Sequence, residues 1–140
     1  MDNNSEVIYR MLVQSVNDYA ITMLKPDGII GSWNQGAQRT IGYTPDEMIG
    51  CSFALLYSEE DRRRGLPQRG LDMAATAGHH ESEGWRYRKD GSAFWAHETI
   101  DPIRNDAGLL VGYACITRDC TQQQEQQRKE REQEMRFRLL

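Results

Sequence analysis

Residues 27–50 read DGIIGSWNQGAQRTIGYTPDEMIG, and this stretch decides the fold because strand signals give way to helix signals within it. A turn is predicted at 25–28, before Ile29 and Ile30, since proline presets φ there and glycine accepts a positive φ. Apolar residues flank that turn at 20–24 and 29–33. This arrangement predicts two strands joined as a β-hairpin.

Helix signals follow directly after the second predicted strand. Asn34 is a favoured N-cap residue and Gly42 a favoured helix terminator, so we expect a helix over about 35–41. Residues 44–47, TPDE, form a capping box with proline at the first helical position. They predict a second short helix that ends at Gly50.

The second half of the chain predicts a helical segment followed by three strands. We expect helices after Ser58 and over 67–77, with a break at Gly65. Alternating apolar and polar residues then predict strands over 81–88, 92–102 and 109–118. Two strands, several short helices and three further strands predict an α+β domain built on one antiparallel sheet.

Helical segments flank this core at both ends. Ile8, Met11, Leu12 and Val16 recur at three- and four-residue spacing, which predicts an amphipathic helix. Residues 122–140 are rich in Gln, Glu, Arg and Lys and predict an exposed helix without a sustained heptad repeat. We therefore divide the chain into an N-terminal helix at 1–18, a core at 19–121 and a connector at 122–140.

The end of the connector resembles the N-terminal helix. Residues 134–140, EMRFRLL, show the same order of acidic, apolar, aromatic and basic types as residues 6–12, EVIYRML. Self-similarity of this kind is typical of tandem domains. We expect the parent protein to continue into a second copy of the same domain.

Composition and motifs argue against several functions. The net charge of −4 provides no basic surface for nucleic-acid phosphates. We expect no membrane segment, since no apolar run is long enough to cross a bilayer, and no secretory signal, since the N-terminus lacks a basic region followed by an apolar one. Three widely spaced cysteines favour free thiols in the cytoplasm over disulfides or a structural zinc. No Walker loop, HExxH or Ser-His-Asp arrangement is present, so we expect neither a metal site nor catalysis by this chain.

Five segments, in order and at the right spacing, resemble the motifs of bacterial PAS domains. They are residues 27–34, 42–50, 88–95, 102–108 and 117–121. The resemblance covers about residues 8–121, and its one visible departure is Lys25, where the family often has Asp. It implies a five-stranded antiparallel sheet in the order 2-1-5-4-3, with helices on one face and a pocket between helices and sheet.

The resemblance also suggests which side chains line that pocket. The candidates are Met23, Trp33, Ile41, Phe53, Leu56, Leu71, Trp85, Phe94, Tyr113 and Cys115. In this family the pocket holds haem, flavin, a small metabolite or nothing, and here we expect no cofactor. The three tryptophans are better explained by core packing or a dimer surface than by a flat ligand.

Covalent flavin photochemistry does not fit the residues present. LOV domains, which are PAS domains, carry a reactive cysteine three residues after the glycine that matches Gly50. Phe53 occupies that position here, and Cys51 lies two residues too early. We therefore exclude a LOV photosensor.

Haem has little support from the histidines. Haem-binding PAS domains carry an axial histidine in the helical segment where Gly65 stands here. The histidines at 79–80 fall in a predicted turn, and His97 lies on the opposite side of its strand from Phe94. A bound haem or non-covalent flavin remains an alternative.

These residues predict a sensory and dimerising PAS module of a cytoplasmic signalling protein, most often a two-component sensor histidine kinase. The stripe of Ile8, Met11, Leu12 and Val16 is the expected homodimer interface. Asp119 and Thr121 are the expected relay into the connector and a downstream PAS or kinase domain. The alternatives are a flavin- or haem-based redox or gas sensor and a PAS domain of a cyclic-dinucleotide enzyme.

Overall fold

The computed structural model describes residues 3–15 and 18–140. In chain order the elements are α1 (Asn3–Ser15), β1 (Ala20–Leu24), α2 (Gln35–Ile41), α3 (Pro45–Met48), a 3-10 helix (Phe53–Leu56), α4 (Glu59–Arg63), α5 (Leu66–Ala77), β2 (His80–Tyr87), β3 (Ala93–Arg104), β4 (Leu110–Asp119) and α6 (Thr121–Leu139). The predicted α+β class is confirmed. No helix of the described residues is long and apolar enough to cross a membrane.

The strands form one antiparallel sheet in the order β1-β4-β3-β2. β2 and β3 make a hairpin in which Arg86 pairs with Phe94. β4 lies between β1 and β3, so that the last strand of the domain is held on both sides. Its final residue, Asp119, pairs with Ala96 and leads directly into α6.

The predicted five-stranded sheet and its order 2-1-5-4-3 are wrong. Within the described residues the sheet has four strands, because residues 29–33 do not form the second one. Ile29 and Ile30 make only isolated bridges, to Ser52 and Leu24.

Side chains explain why this segment is not a regular strand. The backbone N–H of Met23 donates to Ser32 Oγ at 2.8 Å, and that of Ile21 donates to Asn34 Oδ1 at 2.9 Å. These two bonds occupy donors of β1 that a strand ladder would use. Residues 29–34 therefore cover the edge of β1 without regular pairing.

The local helix signals fold as predicted. Asn34 Oδ1 also accepts a hydrogen bond from the Ala37 N–H at 2.8 Å, which caps α2, and α2 ends at Gly42 with φ of 96°. Thr44 and Glu47 form a reciprocal capping box at the start of α3. Both helices begin where the side chain satisfies an otherwise unpaired backbone N–H.

The core lies between the inner face of the sheet and helices α2, α3 and α5. Trp33, Ile41 and Leu71 on the helical side pack in one cluster with Phe94 and Ile100 of β3, and all five are buried. The indole N–H of Trp33 donates to the Tyr43 carbonyl at 2.8 Å, so this large side chain is buried without an unpaired donor.

Gly112 marks the closest approach of β4 to β1. A Cβ built at Gly112 would lie only 2.5 Å from the carbonyl oxygen of Leu24, which belongs to the backbone and has little freedom to move. At Gly31 a Cβ would lie 3.4 Å from the Met23 carbonyl, an ordinary contact.

We expect Gly112→Ala to lower the free energy of unfolding by about 1–3 kcal/mol, because the two strands must separate to admit the methyl group. Urea unfolding followed by circular dichroism measures the change. Gly31→Ala is the matched control and is expected to cost much less. Equal losses for the two variants would contradict the proposed strand contact.

Candidate functional site

The last strand passes into the C-terminal helix through a compact hydrogen-bonded turn. Asp119 Oδ1 accepts from the Thr121 N–H at 2.9 Å and from the Thr121 hydroxyl at 2.6 Å. A side chain that binds the backbone two residues ahead fixes the local path of the chain. The direction in which α6 leaves the sheet is therefore set at these two residues.

Two further residues anchor this turn to the neighbouring strands. The Trp95 N–H of β3 donates to Thr121 Oγ1 at 2.8 Å, and the Cys120 N–H donates to the Trp95 carbonyl at 2.7 Å. Arg88 Nη2 donates to Asp119 Oδ2 at 2.8 Å. We call Arg88, Trp95, Asp119 and Thr121 the exit junction.

The exit junction also contacts the core. The Arg88 guanidinium carbon lies 4.7 Å from the centre of the Phe94 ring, and Phe94 is fully buried. A cation over an aromatic face is attracted by the negative charge of the ring face. Phe94, Arg88 and Asp119 thus form a continuous contact path from the core to the start of α6.

Asp119 thus pairs with the guanidinium of Arg88 and with the backbone N–H of Thr121. Thr121 does not cap α6, because Cys120 is the N-cap residue and makes no side-chain capping bond. The Thr121 hydroxyl is instead shared between Asp119 and Trp95. A relay role for the two residues stays a prediction.

Most of the pocket candidates come together in the core. The buried ones are Trp33, Ile41, Phe53, Leu71, Phe94, Tyr113 and Cys115, and Leu56 packs against them half-buried. Met23 and Trp85 are 50% and 45% exposed. Both lie on the other face of the sheet, because the alternation of β1 and β2 points their neighbours Leu24 and Arg86 inward. These two cannot line a pocket on the helical side.

A buried polar cluster lies within this apolar core. The Tyr57 hydroxyl donates to Glu98 Oε1 at 2.7 Å, and Arg86 Nε approaches Glu98 Oε2 at 3.4 Å. The Arg86 guanidinium also stacks on the Tyr57 ring, with its carbon 3.7 Å from the ring centre. Burial, then the Glu98 charge, raises the pKa of Tyr57 far above its usual range, so this phenol stays protonated.

The cysteine of the core is not a reactive thiol. Cys115 is 4% exposed, and burial followed by the nearby Glu98 charge raises its pKa well above the usual value. A thiol that stays protonated is a poor nucleophile and a poor metal ligand. Among the described residues no group of three or more His, Cys, Asp or Glu side chains is placed to hold a metal ion.

Two of the three histidines, His79 and His97, lie on the protein surface, whereas His80 pairs with the core residue Ile100 and lies beside Gly70. His79 pairs with Asp101 at 2.6 Å, and His97 pairs with Glu81 on the exposed face of the sheet. The hydrogen bond to Asp101 raises the pKa of His79. Each of these two imidazoles therefore has a carboxylate partner on the protein surface.

The candidate dimer residues lie on α1. Ile8, Met11 and Leu12 are 58%, 65% and 60% exposed, so much of their apolar surface faces solvent in the single chain. Val16 lies outside the described residues. A groove of about 720 Å³ runs between α1 and β1, with Tyr9, Val13 and Met23 among its lining residues.

Sequence reasoning missed Arg88 and Trp95 at the exit junction and Tyr57, Arg86 and Glu98 in the core. One signal was available in the alternation of Trp85, Arg86 and Tyr87 along β2. Whichever face of this strand turns inward must bury either the arginine or the two aromatic rings. The acidic partner could not be identified from the sequence, because the side chain of Glu98 forms its ion pair with Arg86 from the other strand of the β-hairpin.

Comparisons with known proteins agree with this architecture. The family model described as "PAS domain" matches residues 15–122. A crystal structure of the PAS domain of a protein from Colwellia psychrerythraea has a TM-score of 0.75 at 24% identity and covers 84% of this chain and 98% of that chain. A domain of the sensory box sensor histidine kinase/response regulator from Geobacter sulfurreducens has a TM-score of 0.68 at 19% identity and covers 82% and 94%.

A longer curated protein is similar to most of this chain. Two-component system protein A from Emericella nidulans is 50% identical over 117 residues, which are 84% of this chain and 17% of that protein. The chain thus spans less than a fifth of that relative's length. With its family match, its α+β fold and these relatives, the chain belongs to the PAS domain family.

Proposed function

We propose that the chain is the sensory and dimerising module of a cytoplasmic sensor histidine kinase and that α6 carries its signal to the effector. The observation that carries the proposal is the exit junction, which joins the core-facing strands to the first turn of α6. The similarity to a two-component system protein supports a two-component sensor as the parent protein.

The exit junction has the properties that a relay needs. Thr121 bonds to both Asp119 and Trp95, so a small shift between β3 and β4 must change at least one of these bonds. None of the α6 residues is buried. A change of angle at the junction is therefore transmitted along the helix. The two arrangements of the junction need to differ by only a few kcal/mol in free energy for a signal to shift the balance between them.

The distal end of α6 supports a downstream domain. Met135, Phe137 and Leu139 are 65%, 80% and 82% exposed on an otherwise polar helix. Their pattern matches that of α1, as residues 134–140 and 6–12 show. We propose that a second PAS copy or a kinase domain covers these side chains in the parent protein.

The α1 stripe supports a homodimer. Exposed side chains of this size on one helix face gain free energy when a second copy covers them. We propose that α1 of one protomer packs against the same surface of its partner.

We expect Asp119→Asn in the full-length parent protein to change basal kinase output by about fivefold, which corresponds to roughly 1 kcal/mol in a two-state equilibrium. The substitution keeps the shape of the side chain but removes the charge that pairs with Arg88. Autophosphorylation with labelled ATP measures the output.

Asp106→Asn in the β3–β4 turn makes the same chemical change away from the junction and is the control. Equal output from wild type, D119N and D106N would contradict the relay. A parent protein with no ATP-dependent autophosphorylation would contradict the kinase assignment instead.

The dimer is tested separately by Met11→Glu. We expect this charge on the α1 stripe to weaken dimerisation by roughly tenfold or more, because the interface would have to bury an unpaired carboxylate. Sedimentation equilibrium measures the dissociation constant.

Leu109→Glu is the matched control, since Leu109 is 65% exposed like Met11 but lies in the β3–β4 turn. The α1 interface is contradicted if the wild-type chain is a monomer at micromolar concentration, or if M11E dimerises as tightly as L109E.

A further inference from the structure

A groove of about 670 Å³ lies beside the exit junction, between the end of α2 and the β2–β3 turn. Three cationic side chains line it: Arg39, Arg88 and Lys89. Two carboxylates, Asp90 and Asp119, lie on the same lining. Several of these charged groups already have partners within the protein.

Both carboxylates are satisfied by groups of the protein. Asp119 accepts hydrogen bonds from Arg88 and Thr121. Asp90 Oδ1 accepts from the Ser92 hydroxyl at 2.6 Å and from the Ser92 N–H at 2.9 Å, and these bonds lower the pKa of Asp90.

The cations are less well satisfied. Lys89 Nζ pairs with Glu47 at 2.7 Å. Arg39 is exposed and makes no ion pair with any residue that the structure describes. Within the same part of the chain, Arg88 Nη1 is the one buried side-chain nitrogen or oxygen that lacks a hydrogen-bond partner. A buried donor without an acceptor is costly. Because Nη1 has almost no accessible surface, an acceptor in the groove reaches it only when the guanidinium turns away from Asp119, and that turn would relieve the cost.

We propose that this groove binds a phosphate group, free or as a monoester, between the guanidinium groups of Arg39 and Arg88. Two guanidinium groups on different elements suit a tetrahedral oxyanion, because its oxygens point in several directions and each can accept charge-assisted hydrogen bonds. The phosphate competes with Asp119 for Arg88, since both anions need the same guanidinium.

Competition at Arg88 couples the site to α6. Binding of the oxyanion weakens the Arg88–Asp119 pair, and an intact pair equally weakens binding of the oxyanion. The site itself does not depend on the sensor role. Its effect on signalling rests on the proposed relay function of the exit junction.

Isothermal titration calorimetry of the intact chain tests the site, with inorganic phosphate and glycerol 3-phosphate as separate ligands at constant ionic strength. We expect saturable binding of at least one, and the tighter ligand identifies the source of the phosphate group. Arg39→Gln should weaken binding roughly tenfold, through the loss of charge-assisted hydrogen bonds. Arg62→Gln on α4 removes the same charge elsewhere and should leave binding unchanged.

Asp119→Asn gives the opposite expectation and tests the competition. Without the carboxylate, Arg88 is released to the ligand, and phosphate should bind about threefold more tightly. The proposal is overturned if neither ligand binds saturably, if R39Q and R62Q behave alike, or if D119N weakens binding. These titrations do not measure kinase output. A failure of phosphate binding therefore leaves the relay function intact, and a failure of the relay in the autophosphorylation assay leaves the phosphate site intact.

Discussion

The buried carboxylate of Glu98 is the constraint on which the rest of the domain depends. It lies at the centre of the inner sheet face, only 4% exposed, and a charge there must be paired. Tyr57 comes to it from the segment after the 3-10 helix and Arg86 from β2, so one carboxylate fixes both the helical layer and the outermost strand. Removal of one partner of a buried ion pair typically costs about 3–5 kcal/mol, because the other charge is left uncompensated. This cost explains why Tyr57, Arg86 and Glu98 stay together inside the domain.

Much of the fold was predictable from the sequence, because local groups determine it. The caps of α2 and α3 use Asn34, Thr44 and Glu47, which lie within a few residues of the N–H groups that they satisfy. The strand predicted at 29–33 failed for a related reason. Its β-forming residues are present, but Ser32 and Asn34 offer side-chain acceptors to two N–H groups of β1. Only part of the ladder therefore forms, with the Gly31 N–H donating to the Met23 carbonyl at 2.7 Å. Asn34 thus caps a helix and closes the sheet edge at once, and only the second role needs the tertiary structure.

The candidate site was predicted in part. Asp119 and Thr121 were recognised from the family pattern, and their mutual bonds are local. Arg88 and Trp95 lie 31 and 26 residues away from their partners, so no short-range pattern indicates them. Trp85 was predicted to line the pocket, yet Arg86 is the buried residue, since Glu98 supplies the charge that allows its burial. A long-range ion pair decided which face of β2 turns inward.

The central claim is that the first turn of α6 is held to the core strands through Thr121. Hydrogen exchange of the Trp95 amide, followed by NMR, tests it most directly, because that N–H donates to Thr121 Oγ1 at 2.8 Å. The valine variant of Thr121 keeps the shape of the side chain and removes the acceptor. We predict that Thr121→Val makes the Trp95 amide exchange at least about fivefold faster, as loss of roughly 1 kcal/mol of protection requires, while the Thr99→Val control does not. Unchanged exchange at Trp95 in T121V would contradict a junction that couples the core to the exit helix.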